Sequence, residues 1–178
     1  LLPGAEVSSD ESRQKYAMQT RFRVIPLCFG NYSVYGQKFS PAEIQELCVA
    51  NNTFSFQDYL DCRSLSLTIE MFYNNGMFKE LINFLGMNNI PPSALMKNIY
   101  GAAKDETLKE IYDGFLGENQ KNLWEKKEDL EQFLQVPANV ERYCSGELGN
   151  NEIFKYRALA FCDKIQELHL TAFEEAKK

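Results

Sequence analysis

Polar and apolar residues alternate from Thr20 to Leu27 (TRFRVIPL), with Phe22, Val24 and Pro26 on one side and Arg21, Arg23 and Ile25 on the other. A period of two predicts a strand with one buried face. Two short extended pieces around a glycine turn follow, Tyr32 to Tyr35 and Lys38-Phe39 with Gly36-Gln37 between them, which predicts a hairpin. The next stretch, Ala42 to Asn52, fits two patterns: Ser40-Pro41-Ala42-Glu43 opens a helix well, whereas Ile44, Leu47, Val49, Thr53 and Phe54 suit a strand beside TRFRVIPL. The strand is preferred. Upstream of all these, Ser8 to Glu11 spells a capping box that starts a short helix running to Met18.

From Ser55 onward the period changes to that of helices. Ser55 caps a helix reaching Tyr73, which Asn74-Asn75-Gly76 ends. Phe78, Leu81, Ile82 and Leu85 are spaced i, i+3, i+4, i+7 in a helix stopped by Gly86 and Pro91-Pro92, and Pro91 to Ala103 forms the next. Asp105 caps a helix carrying Leu108, Ile111, Tyr112 and Phe115. A polar stretch then leads to Leu130, Phe133 and Leu134 before Pro137 breaks the run. Phe154, Ala158, Phe161, Ile165, Leu168 and Ala172 form a seven-residue stripe on one long last helix, for which an intramolecular bundle is preferred over a coiled coil between chains. The expected fold is mainly α, with a small β-hairpin or sheet element at about residues 20–54 followed by a helical bundle. The change of texture divides residues 1–54 from residues 55–178.

Composition narrows the function. The 178 residues carry 25 acids against 19 Lys and Arg, a formal charge of −6, with no basic cluster of the kind that binds nucleic acid. No apolar run approaches the roughly 20 residues that span a membrane. A single His, His169, excludes multi-histidine metal sites, and it sits beside the apolar stripe, where flank packing explains it. Five cysteines at 28, 48, 62, 144 and 162 are odd in number and form no Cys-x-x-Cys pair, which fits a reducing cytoplasm and matches no zinc or iron-sulfur spacing. Cys28 has a setting that could expose it, while Cys62, Cys144 and Cys162 read as small hydrophobes on helix faces.

Candidate chemistry is therefore sparse, and no catalytic or metal-ligating residue is assigned. Asp58, Asp61 and Glu70 share one predicted helix, where with Arg63 they read as a surface ion-pair network. Gly114-Phe115-Leu116-Gly117 has the spacing of the Gly-x-x-Gly loop of single-strand RNA-binding domains, yet acidic surroundings and missing strands favour close helix packing or a helix break. Arg21 and Arg23 stand on one side of a strand, with Tyr32 and Tyr35 on the hairpin beside it. Two guanidiniums there could grip an anionic substrate group, or cover apolar area while staying wet.

Several strings in the first third resemble one family. Leu2-Pro3-Gly4, Ser12-Arg13-Gln14-Lys15-Tyr16, Arg21-Phe22-Arg23-Val24-Ile25-Pro26, Phe29-Gly30 and the segment Ala50 to Leu60 (ANNTFSFQDYL) resemble radical S-adenosylmethionine proteins of the cobalamin-binding type. Ala5 departs from the hydroxylated residue expected after Leu-Pro-Gly. The resemblance implies an upstream catalytic barrel in the same polypeptide, where Cys-x-x-x-Cys-x-x-Cys holds a 4Fe-4S cluster that reduces S-adenosylmethionine, together with a cobalamin domain. The start at Leu1 without Met agrees with a piece of a longer chain. On this reading the chain itself binds no cofactor, partners the upstream domain and covers the barrel or contacts a small-molecule substrate, with Arg21, Arg23, Tyr32 and Tyr35 as the contacts. The alternative is an autonomous helical interaction module that pairs through the stripe from Phe154 to Ala172.

Overall fold

The strand predicted from TRFRVIPL is longer than its alternation. In a computed structural model, which describes residues 1–102 and 108–178, helix α1 (Asp10–Lys15) precedes β1 (Gln19–Phe29), β2 (Tyr32–Val34), β3 (Gln37–Phe39) and β4 (Ala42–Ala50). Strand β4 pairs antiparallel with β1, with Phe22 opposite Glu46 and Val24 opposite Ile44, so the ambiguous segment is a strand. The register shifts between Val24 and Phe29, where Leu27 takes φ 65° and is exposed. That bulge ends the simple alternation and re-aims the strand toward the hairpin.

Helices fill most of the rest: α2 (Phe56–Ile69), α3 (Lys79–Met87), α4 (Pro92–Ala102), α5 (Lys109–Lys121), α6 (Lys127–Leu134), α7 (Pro137–Cys144), α8 (Glu152–Asp163) and α9 (Ile165–Glu175). The fold is thus mainly helical with a small β part near the start. The predicted end of the fourth helix at Ala103 and the cap at Asp105 lie outside the described residues. No helix among the described residues is long and apolar enough to cross a membrane.

The chain forms two compact units, each made of two segments. The first joins Leu1–Tyr59 with Asn119–Asn151; the second joins Leu60–Glu118 with Glu152–Lys178. A single division at residues 54 and 55 does not describe this arrangement, because the β element needs apolar cover that local sequence lacks. Val24 packs with Leu130 of α6 and Tyr143 of α7, ringed by Phe22, Phe29, Ile44, Trp124 and Phe133. Trp124 also exchanges backbone hydrogen bonds with Phe22 at 2.7 and 2.9 Å, adding a one-residue bridge to the free edge of β1.

Local capping in the first unit follows the expected chemistry with small shifts. Ser9, one residue later than predicted, caps α1 by accepting from the Ser12 amide, and Ser8 instead donates to the Leu2 carbonyl at 2.6 Å. Ser55 and Asp58 form a reciprocal capping box: Ser55 Oγ accepts from the Asp58 amide at 3.1 Å, and Asp58 Oδ2 accepts from the Ser55 amide at 2.8 Å. Asp58 is thereby committed to the start of α2.

Arg13 fastens the N-terminal segment to β4 through a two-pronged bond, Nη1 to Glu46 Oε1 at 2.6 Å and Nη2 to Oε2 at 2.7 Å. The donated bonds hold the Glu46 carboxyl below its usual range, helped by the Thr20 hydroxyl. A depressed folded-state pKa contributes stability above the ordinary carboxylate value, about 4.3, and loses it as pH falls through the folded value. Arg13→Met is therefore expected to cost about 1–3 kcal/mol near neutral pH, with the gap from wild type closing at acid pH in urea titrations run from pH 7 to pH 3. A gap independent of pH contradicts the assignment.

In the second unit a helical core encloses Leu67, Phe72, Ile99, Leu108, Tyr112, Phe115 and Leu168, all essentially inaccessible to water. The predicted face of Leu108, Ile111, Tyr112 and Phe115 is buried as a set. Tyr112 shares a 2.6 Å hydrogen bond with Thr68, and burial pushes its hydroxyl pKa up. The Gly-x-x-Gly string lies inside α5: a Cβ on Gly114 would come within 2.8 Å of the Tyr156 ring, so this glycine admits a neighbouring aromatic. After Ile69, residues Glu70–Asn74 widen into a π-helical turn, and Gly76, at φ 76°, follows it.

The expected long last helix is two. Lys164, at φ −130° and ψ 28°, breaks it between α8 and α9. On α8 the stripe divides: Phe154, 51% exposed, and Ala158 face outward, whereas Phe161 packs against the helical core together with buried Glu152 and Ala160 and part-buried Tyr156. On α9 Leu168 and Ala172 are buried as expected. Cys62, Cys144 and Cys162 are exposed, against the expectation of apolar packing, and Cys28 is half-buried. His169 lies on the flank of α9 with its ring 5.1 Å from that of Phe78.

Candidate functional site

A cleft lies in the first unit, and the hairpin builds one of its walls. Tyr35 and Gly36, at φ 50° and 80°, form the two-residue turn between β2 and β3, a geometry that matches the twist of paired strands. The register sets Tyr32 opposite Phe39 and Ser33 opposite Lys38. Tyr32 and Phe39 stack with ring centroids 5.6 Å apart and planes 19° from parallel. Gly30 makes this placement possible, since a Cβ there would stand 3.0 Å from the Tyr32 ring.

A polar hinge ties the base of the hairpin to α7. Asn31 donates through Nδ2 to Glu141 Oε2 at 2.5 Å and accepts from Ser40 Oγ at 2.6 Å, so one amide bridges strand and helix. The Gly30 amide closes the loop on the Pro41 carbonyl at 3.1 Å. Behind them Phe29 packs on Tyr143 at 5.4 Å between centroids. Pro137 opens α7 at a position where its missing N–H costs nothing, and the turn from α6 to α7 supplies Leu134, Gln135 and Ala138 as the opposite wall.

The resulting cleft holds about 760 Å³. Its lining joins Tyr32 and Phe39 with the polar groups of Ser33, Lys38, Gln135 and Glu141. Such a set can stack on a ring, exchange hydrogen bonds and pair with either charge, which are the tasks of a ligand-contacting surface. No imidazole or thiol lines it.

Of the four residues expected to contact a ligand, only Tyr32 lines this cleft. Arg21 donates to the Thr20 carbonyl at 3.0 Å and lies 3.5 Å from Glu125, while Arg23 donates to Gln45 at 3.3 Å, so both guanidiniums engage neighbours on the β1–β4 sheet. Tyr35 stands fully exposed at the hairpin turn. Of the other acids on that stretch, the Glu70 carboxylate pairs with Arg157 and accepts from Asn74, and the Asp61 backbone carbonyl accepts from the Tyr100 hydroxyl.

The residues missed by pattern are Asn31, Lys38, Ser40, Gln135 and Glu141. The bond from Asn31 to Glu141 spans 110 residues of sequence, and no local spacing signals it. No group of three or more His, Cys, Asp or Glu among the described residues is arranged to hold a metal ion, and the five cysteines are dispersed over β1, β4, α2, α7 and α8. Comparison with family models, with curated proteins and with solved structures finds no match to this chain.

Proposed function

We propose that this chain is the non-catalytic C-terminal region of a cytoplasmic radical S-adenosylmethionine enzyme, contacting a small-molecule substrate through the cleft between the β2–β3 hairpin and α7. The cleft carries the reading: it gathers stacking, hydrogen-bonding and charged groups, while its lining contains no paired nucleophile and base. The family strings from Leu2-Pro3-Gly4 to Arg21-Phe22-Arg23-Val24-Ile25-Pro26 support the enzyme class, and the 4Fe-4S cluster, S-adenosylmethionine and cobalamin belong on this reading to the upstream part of the polypeptide. That part supplies the radical; the residues described here orient the substrate and exclude water, which protects a reactive carbon radical from stray hydrogen donors.

The test uses the complete polypeptide reconstituted with iron and sulfide. It is expected to cleave S-adenosylmethionine reductively, whereas the 178-residue chain alone does not. An open reading frame without an upstream Cys-x-x-x-Cys-x-x-Cys, or a complete polypeptide that leaves S-adenosylmethionine intact, defeats the proposal.

A further inference from the structure

A second concavity, in the helical unit, has different chemistry. Leu65 and Ile69 of α2 and Tyr73 of the π-helical turn lie on successive turns along one wall; Pro92, Ser93, Met96, Lys97 and Tyr100 of α4 form the other. The Tyr100 hydroxyl reaches the Asp61 carbonyl at 3.5 Å, which sets the last turn of α4 beside the first half of α2. The groove holds about 480 Å³. Its length from Leu65 to Tyr73 is roughly 12 Å at about 1.5 Å per residue.

We propose that this groove docks an acidic amphipathic helix of a partner protein. Length is the first argument, because apolar anchors at i, i+4 and i+7 of a guest helix span about 10.5 Å, close to that of the groove. Openness is the second: Met96 is buried in the floor, but Leu65 and Tyr73 are 36% and 46% exposed. A guest as narrow as one acyl chain would stay wet along one side, whereas a helix about 10 Å across covers both walls.

Charge is the third argument. Lys97 is the one charged residue in the lining and makes no ion pair with a described residue, on a chain whose net charge is −6. A lone cation at an apolar surface selects an acid beside the guest's apolar ridge. Tyr and Met are residue types enriched at protein interfaces, and the thioether of Met96 adapts to the shape it meets. The π-helical turn that presents Tyr73 is a local irregularity of the kind concentrated at functional sites. This site lies in the other unit from the cleft, and its docking function does not rest on the radical-enzyme reading.

The 178-residue chain is titrated with a fluorescein-labelled 16-residue helical peptide carrying Leu at i, i+4 and i+7 with flanking Glu, with its twin in which Lys replaces Glu, and with dodecanoate. Anisotropy gives affinity, and methyl resonances of Leu65, Ile69 and Met96 give location. The acidic peptide is expected to bind about tenfold more tightly than the basic one and to shift those methyls. Lys97→Glu reverses the preference, and Leu65→Glu, at an exposed position, weakens binding about tenfold with an unchanged circular dichroism spectrum. Equal binding of the two peptides, binding indifferent to both variants, or displacement of the peptide by dodecanoate, which marks a lipid site, overturns the proposal.

Discussion

Phe115→Ala is expected to destabilise the helical unit by about 3–5 kcal/mol, a large share of the 5–15 kcal/mol that holds a typical domain together. The side chain is fully buried, Tyr156 meets it edge-on at 5.8 Å between centroids, and the Arg63 guanidinium lies 5.4 Å above the ring. Truncation leaves a cavity walled by residues held in place by other contacts, so it cannot collapse. The pair of half-buried Arg63 with buried Glu152, 3.9 Å between charged atoms, also loses the ring that lines its surroundings. Phe154→Ala is the matched control: this ring belongs to the stripe visible in the sequence, yet it is half exposed, and its loss is expected to cost under about 1 kcal/mol. Urea unfolding followed by far-ultraviolet circular dichroism separates the two variants. Equal midpoints contradict the assigned faces of α5 and α8.

The second large effect is expected at Gly149, at the far end of the first unit's core. Its φ is 68°, and a Cβ there would lie 2.3 Å from Tyr143 Cδ1 and 3.3 Å from Phe29 Cε1. Gly149→Ala therefore combines a left-handed backbone with a collision against two rings that pack on each other at a tilt, for a loss of about 2–4 kcal/mol. Trp124, the only tryptophan, belongs to the same core and reports the loss by fluorescence. Gly117→Ala offers the opposite sign. Nothing lies within 4 Å of a Cβ at Gly117, inside α5, so alanine there is expected to stabilise by about 0.5–1 kcal/mol. A Gly149 variant as stable as wild type rules out the packing of Tyr143 described above.

Patterns set by nearest neighbours were legible in the sequence. Alternation located β1, the turn at Gly36 located the hairpin, and the spacing of Leu108, Ile111, Tyr112 and Phe115 identified the buried face of α5. What failed was decided by distant partners. The stripe from Phe154 to Ala172 has helical spacing on both sides of Lys164, so periodicity alone does not show the break, and the inward face of α8 is fixed by Gly114, which leaves room for Tyr156. Cys62, Cys144 and Cys162 looked apolar by type, but each falls on an outward position of its helix. Arg21 and Arg23 suit either an anion contact or a wet cover over apolar area, and their neighbours Glu125 and Gln45 are invisible to a pattern within one strand. The cleft itself needed α7, which only the folded chain brings beside the hairpin.

The two-segment make-up of the first unit sets an order of events during synthesis. The β1–β4 pair is complete when Ala50 leaves the ribosome, but Leu130 and Tyr143, which cover Val24, have not yet been made. At roughly 5–20 residues per second the nascent sheet waits several seconds with its apolar face uncovered. A two-stranded sheet is marginal alone, so this interval is the chain's exposure to misassembly and to chaperones. A stop codon placed between β4 and α6 would make that interval permanent, and the same sheet would then be a target for proteolysis instead of a scaffold.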